Sequence, residues 1–247
     1  MGKYFSVTKK IEVAASKQHA AGFGAGDVIA DWQAIQIPKG SSILRSLTVL
    51  IRPKGDATPT MNNSAVSVIF SKTNTHSLGT VNAAVSHAPF PDIIGYVKMV
   101  NGSFILNVFN STAVATTGNS GDDERAGIPL VLTGDPDSGD NVGYDTIYVG
   151  IVANGAPDFQ SINAVNEANF GAGTQTVITM DGSSMDVREH FVAGDVLHAQ
   201  DDAVLGTVAS VDSATQITLT AANTAAIAED DIIYNLHPIT LVLGLEK

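Results

Sequence analysis

The residues of this chain best suited to chemistry are the Asp and Asn oxygens clustered around a glycine in Asp135-Pro136-Asp137-Ser138-Gly139-Asp140-Asn141. Oxygens at that density can wrap a hard cation such as calcium, with Asp135, Asp137 and Asp140 as its ligands. The spacing is not that of an EF-hand loop, and the closing bidentate glutamate is missing. Asp, Gly, Ser and Pro also populate ordinary turns for reasons of backbone conformation alone. The ordinary turn is the reading adopted, and calcium at these three aspartates stays open.

Other constellations are weaker. The six histidines (His19, His76, His87, His190, His198 and His237) are scattered without an HxH or HExxH spacing, so each reads as a loop or surface residue rather than a ligand. The absence of cysteine removes disulfides and thiolate zinc sites. There is no GxSxG nucleophile elbow and no GxxxxGK phosphate loop. Gly22-Phe23-Gly24-Ala25-Gly26 lacks the third-glycine spacing, the preceding buried strand and the following helix of a dinucleotide turn, and reads as a flexible loop. Asp122-Asp123-Glu124-Arg125 reads as a solvated loop. The sequence therefore assigns no catalytic, cofactor-binding or metal-binding residue, and the expectation is a protein that is not an enzyme.

Charge narrows the partners. The chain of 247 residues carries a net charge of −12. Residues 160–237 hold 11 acids against one base, Arg188, and so contribute −10; the other 14 acids and 12 bases sum to −2. A surface that acidic repels phosphates, so nucleic acid is not an expected partner. The bases elsewhere are dispersed, with only Lys9-Lys10 and Arg52-Lys54 close together, and Trp32, the sole tryptophan, reads as core rather than a stacking platform. No apolar run approaches the roughly 18 residues of a membrane helix, and no apolar block follows the N-terminal lysines. No membrane partner and no secretory signal are expected.

The elements that would position such residues are strands. With 44% hydrophobic and 15% charged residues, disorder is not the default. Alternation marks strands at Tyr4–Val13, Ser42–Arg52, Ala65–Ser71, Ile128–Leu132 and Thr146–Ala153, while Val28–Ile37 reads as either a strand or an extended loop. Gly95–Val100 and Ser103–Phe109 flank Asn101-Gly102 and read as a hairpin. Ala113–Ala126 reads as a polar loop, and short helical turns are expected at Ser161–Ala168, Ser184–Phe191 and Thr224–Glu229. Three short alternating runs, Gly194–Ala199, Val204–Val211 and Gln216–Leu219, are separated by tight turns and read as a small antiparallel barrel.

The C-terminal strand ties this together. In Pro238–Glu246, Ile239, Leu241, Leu243 and Leu245 share one face, and burying them stabilises by about 6–12 kcal/mol before entropy is subtracted. The small acidic segment offers little room for that surface, so the strand should return to the sheet begun by the N-terminal half. The fold class expected is all-β: a jelly-roll-like antiparallel sandwich of residues 1–159, completed by 238–247, with an inserted acidic small β-barrel domain at 160–237. An immunoglobulin-like sandwich is the alternative.

The segment Phe191–Thr220 resembles a small β-barrel of tailed-bacteriophage virion structural proteins. The resemblance rests on Gly194-Asp195, Gly206-Thr207-Val208 and the run Ser213, Thr215, Ile217, Thr218, Leu219, followed by Ala221–Tyr234. The body, in Pro38-Lys39-Gly40-Ser41-Ser42-Ile43-Leu44 and Asp145-Thr146-Ile147-Tyr148-Val149, is similar to capsid decoration (cement) proteins. The resemblance implies a non-enzymatic protein on the outer capsid surface of a virion. It would be a homotrimer that stabilises the shell, with the major capsid protein of the same virion as partner. A tail, neck or baseplate component is the alternative, followed by a carbohydrate-binding adsorption protein, against which 6% aromatics and one tryptophan count.

Overall fold

Strict alternation builds the strand on which the sequence argument turned. In the C-terminal strand Ile239, Leu241, Leu243 and Leu245 are at most 1% exposed while the residues between them are half-buried. The computed structural model describes residues 2–20, 22–54, 60–86, 91–105, 112–117, 128–134, 144–159, 164–165, 168–181 and 186–247. In chain order the elements are β1 (Tyr4–Ile11), α1 (Ala15–His19), β2 (Val28–Pro38), β3 (Ser42–Ile51), β4 (Val66–Ser71) and β5 (Ile93–Met99). Then come β6 (Phe104–Ile105), β7 (Ala113–Thr116), β8 (Leu130–Leu132), β9 (Tyr144–Ala153), β10 (Ala164–Val165) and β11 (Val177–Thr179). The last are β12 (Val196–Ala199), β13 (Val204–Val211), β14 (Gln216–Leu219), β15 (Ile232–Asn235) and β16 (Ile239–Glu246).

These strands form three antiparallel sheets. The first runs β1-β16-β3-β7-β6, with β8 also on β3; the second runs β2-β9-β4-β5; the third runs β10-β15-β12-β13-β14-β11. Take β1, β2, β3, β4, β5, β7, β9 and β16 as eight successive strands. The first sheet then runs first–eighth–third–sixth and the second runs second–seventh–fourth–fifth. That is the winding of a jelly roll. Strand β16 lies between β1 and β3, paired with β1 from Ile11↔Ile239 to Tyr4↔Glu246. One core fills the sandwich, including Leu47, Val49, Val68, Phe70, Ile147, Ile151, Leu241 and Leu243.

The six strands between β9 and β16 leave that sandwich. The third sheet is built only from residues 164–235 and has a separate core around Leu197, Leu205, Ile217, Leu219 and Ile233. The pairings describe six strands in one sheet with β10 and β11 at its edges. Closure of the sheet into a barrel is not among them.

Four local expectations fail, each to tertiary pairing. Asn101-Gly102 does not make a hairpin. It lies in a single 3-10 turn, where Ser103 N donates to Val100 O (2.9 Å) and Val100 N to Ser103 Oγ (3.1 Å). The turn carries the chain from β5, paired with β4, to β6, paired with β7 in the other sheet. Burial of Val97 and Met99 against β4 outweighs the local turn preference. The polar loop expected from Ala113 contains β7, whose Ala113 and Ala115 are small enough to fit flat against β3. The helical turn expected at Thr224–Glu229 is absent, and Ile227 instead bridges Phe170. Of the other two, residues 187–189 make a 3-10 turn, while 164–165 are a strand.

Candidate functional site

The polar groups of the described chain converge where the third sheet sits on the jelly roll, around α1. This helix starts at Ala14-Ala15, which offers no side chain for its N-terminal amides. The acceptor comes from the β12–β13 turn: Asp202 Oδ1 accepts from Ser16 N at 3.0 Å. Asp202 sits at φ +70°, a conformation aspartate tolerates better than most residues. The α1 face turned inward carries Gln18, 1% exposed, whose Nε2 donates to Val13 O (2.7 Å) and Asn235 O (3.0 Å). At the helix end His19 Nδ1 meets Tyr234 Oη at 2.6 Å. Burial, and then the nearby Asp158, push the Tyr234 hydroxyl well above its ordinary range, so it keeps its proton.

A second layer is centred on Asp195, which follows the Gly194 turn and is 5% exposed. Its Oδ1 accepts from Lys10 Nζ (3.2 Å) on β1, and its Oδ2 from Val192 N (3.0 Å) and Asn235 Nδ2 (2.9 Å). Asn235, the last residue of β15, uses every polar atom of its amide. Nδ2 also donates to His190 O (2.9 Å), and Oδ1 accepts from His237 N (2.6 Å). Arg52, just past β3, donates from Nη2 to Gln18 Oε1 (3.1 Å) and Asn235 O (3.2 Å). Burial pushes its guanidinium down to about 10 while Asp195 pulls it up, so it remains charged at neutral pH. A cleft of about 320 Å³ opens beside this layer, with Lys10, Arg52, Glu189, His190, Asp195 and His237 among its polar lining and Leu50, Phe191 and Pro238 among its apolar lining.

The acceptors of Asp195 are occupied by three donors, and the Asn235 amide by three partners, whereas Arg52 Nε is buried without a hydrogen-bond partner among the described residues. Buried groups satisfied in the manner of Asp195 and Asn235 rigidify and fix one arrangement of the parts they join. Backbone bonds on either side, Val13 N to Leu236 O (2.7 Å) and Arg52 N to Pro238 O (3.0 Å), complete the seat.

The sequence did not point here. Asp135, Asp137 and Asp140, its open calcium ligands, lie outside the described residues, as do Asp122–Arg125 and His87. Among the described residues, no three His, Asp or Glu side chains are grouped so as to hold a metal ion. His190 and His198, read as loop or surface residues, are buried at 3% and 9% exposure. Trp32, read as core, is half-buried; its Nε1 donates to His76 O (2.7 Å), and its ring packs with Val28, Leu78 and Val152 in a small satellite cluster. The glycine-rich turn at 22–26 anchors the core through Phe23, which meets Phe159 edge-on at 5.5 Å. The seat carried no local signal, because the pairs that join residues 10–52 to residues 190–235 are 138 to 217 residues apart. Among the described residues no helix is long and apolar enough to cross a membrane.

No family model matches the chain, and no curated protein matches it.

Proposed function

We propose that this protein is a non-enzymatic structural component of a tailed-phage virion that decorates and stabilises the outer capsid surface. Its partner is the major capsid protein of the same virion, and it acts as a homotrimer. The observation that carries the reading is the place of β16 between β1 and β3, which leaves residues 164–235 as a side excursion from a jelly roll. The charge split supports an orientation. The near-neutral body can bury apolar area against a shell with few unpaired charges. The segment 160–237, at −10, projects outward and keeps particles from associating. The rigid seat suits a protein that must hold one shape rather than turn over a substrate.

Cryo-EM of the virion that carries this chain tests the reading. Copies that follow the lattice symmetry of the shell, in hundreds per particle, support decoration. Six or twelve copies at a single vertex would move the protein to the tail or neck, and absence from the particle would end the virion reading altogether.

A further inference from the structure

Four of the six histidines meet at one interface. His19 bonds the Tyr234 hydroxyl across it, and the His190 carbonyl accepts from Asn235. His198 Nδ1 lies 3.1 Å from the carbonyl of Asp202, whose carboxylate holds Ser16 N. His237 lines the cleft, and its amide is held by Asn235 Oδ1. Histidine is the side chain whose ordinary titration falls between pH 5 and 8, so this concentration has a physical consequence. We propose that the seat between the jelly roll and the third sheet is a pH-sensitive joint, closed at neutral pH and loosened by mild acid, with His237 as its sensor.

The surroundings of His237 set the sign. Lys10 faces it from β1, Glu12 from just past that strand, Arg52 from just past β3, and Asp195 from just before β12; Glu189 and His190 line the same cleft. Burial comes first, and with Lys10 and Arg52 it holds the imidazole below its ordinary range against the opposing pull of Asp195 and Glu12. The closed seat therefore prefers the neutral ring. Its stabilisation is complete above about pH 6.5, the ordinary value in a released joint, and is lost as the pH falls through the depressed value. A charged ring would be a third cation beside Lys10 and Arg52, and Asp195 already serves Lys10. Only Leu236, His237 and Pro238 separate β15 from β16, so loosening tilts the third sheet rather than freeing it.

The proposal is independent of the virion reading, and hydrogen exchange on the full chain tests it. Exchange is compared at about pH 7.5 and about pH 5.5, after correction for the intrinsic pH dependence of amides. The reporters are the amides of Val13, Arg52 and His237, with Val49 and Ile217 as controls in the two cores. The expected result is a several-fold rise at the reporters in acid with the controls unchanged, abolished in His237→Gln and present already at neutral pH in His237→Lys. Circular dichroism establishes that both variants are folded, and His237→Asn substitutes for the glutamine variant if that one is not. No rise, a rise shared by both cores, or a rise that survives a neutral residue at 237 overturns the proposal.

Discussion

The carboxylate of Asp202 caps a helix distant in sequence, accepting at 3.0 Å from Ser16 N, 186 residues earlier. The five-residue helix α1 is too short to stand alone, and Ala14 gives it no cap of its own. Asp202→Ala should therefore cost about 1 kcal/mol, at the lower end for a cap because the residue is exposed, while Asp202→Asn keeps an acceptor and should cost less. Urea denaturation monitored by circular dichroism measures both. Burial alone would raise the Asp202 carboxyl, but hydrogen bonds from Ser16 and Ala15, aided by His198, outweigh it and hold it below its ordinary range. The stabilisation should be present above about pH 4 and disappear as the pH falls through the lowered value. The stability curves of the wild type and Asp202→Asn should converge there.

Asp195 and Lys10 form an ion pair whose two ends differ in burial, and this sets unequal costs for removing them. The Asp195 side chain is 4% exposed and that of Lys10 is 50% exposed. Removing the carboxylate leaves the buried Arg52 uncompensated and takes away one of the two acceptors of Asn235 Nδ2, so Asp195→Ala should destabilise by about 3 kcal/mol. Lys10→Ala removes a partner that water replaces and should cost under about 1 kcal/mol. A double-mutant cycle checks this, and a coupling as large as the loss from Asp195→Ala alone would contradict the account.

How far the sequence foretold this structure depends on whether a feature is local. Strands β13 and β14 begin and end where alternation places them, at Val204–Val211 and Gln216–Leu219, since each buries one face in its own small core. The return of β16 to the first sheet was legible because four aliphatic residues at period 2 demand a large core. Strand β7 was not, because Ala113-Val114-Ala115-Thr116 is a strand only by virtue of its pairing with β3. Helix α1 was hidden for the same reason: its cap, one of the acceptors of the buried Gln18 amide and its His19 partner come from residues past 190. Most of the candidate site belongs to this second class. Gln33 shows the limit most simply. Its amide bonds both Glu12 N (3.0 Å) and Glu12 O (2.6 Å), standing in for a neighbouring strand across the sandwich, and nothing in either residue's neighbourhood announces it.

Two strand glycines should respond differently to alanine. A Cβ at Gly150 would press on Leu78 Cδ1 and lie 3.2 Å from Trp32 ring carbons, inside a packed cluster on the outer face of the second sheet. Overpacking there should cost about 1–3 kcal/mol. At Gly244 the obstruction is the Ser46 hydroxyl, which can rotate away, so Gly244→Ala should fall within about 0.5 kcal/mol of the wild type. Thermal denaturation of the two variants side by side decides the matter. Equal losses would mean that loss of glycine itself, rather than the neighbours, sets the cost.

The separate cores predict separate responses. Leu243 on β16 is wholly buried between β1 and β3, opposite Val7 and Leu47, while Ile217 is wholly buried in the third sheet. Truncating either to alanine should cost about 2–5 kcal/mol of the core it belongs to. Native-state hydrogen exchange can assign that loss. Leu243→Ala should lower protection at Val49 and Leu241 and leave Leu205 and Leu219 as they were, and Ile217→Ala should do the reverse. The seat complicates this in one direction only. Asp202, Asn235 and Tyr234 hold α1 from the third sheet, so Ile217→Ala should also expose the amide of Ser16, whereas Leu243→Ala should not. Loss of protection in both cores from either substitution would show that the seat couples them into one folding unit. The insertion would then be part of the jelly roll's stability rather than a passenger on it.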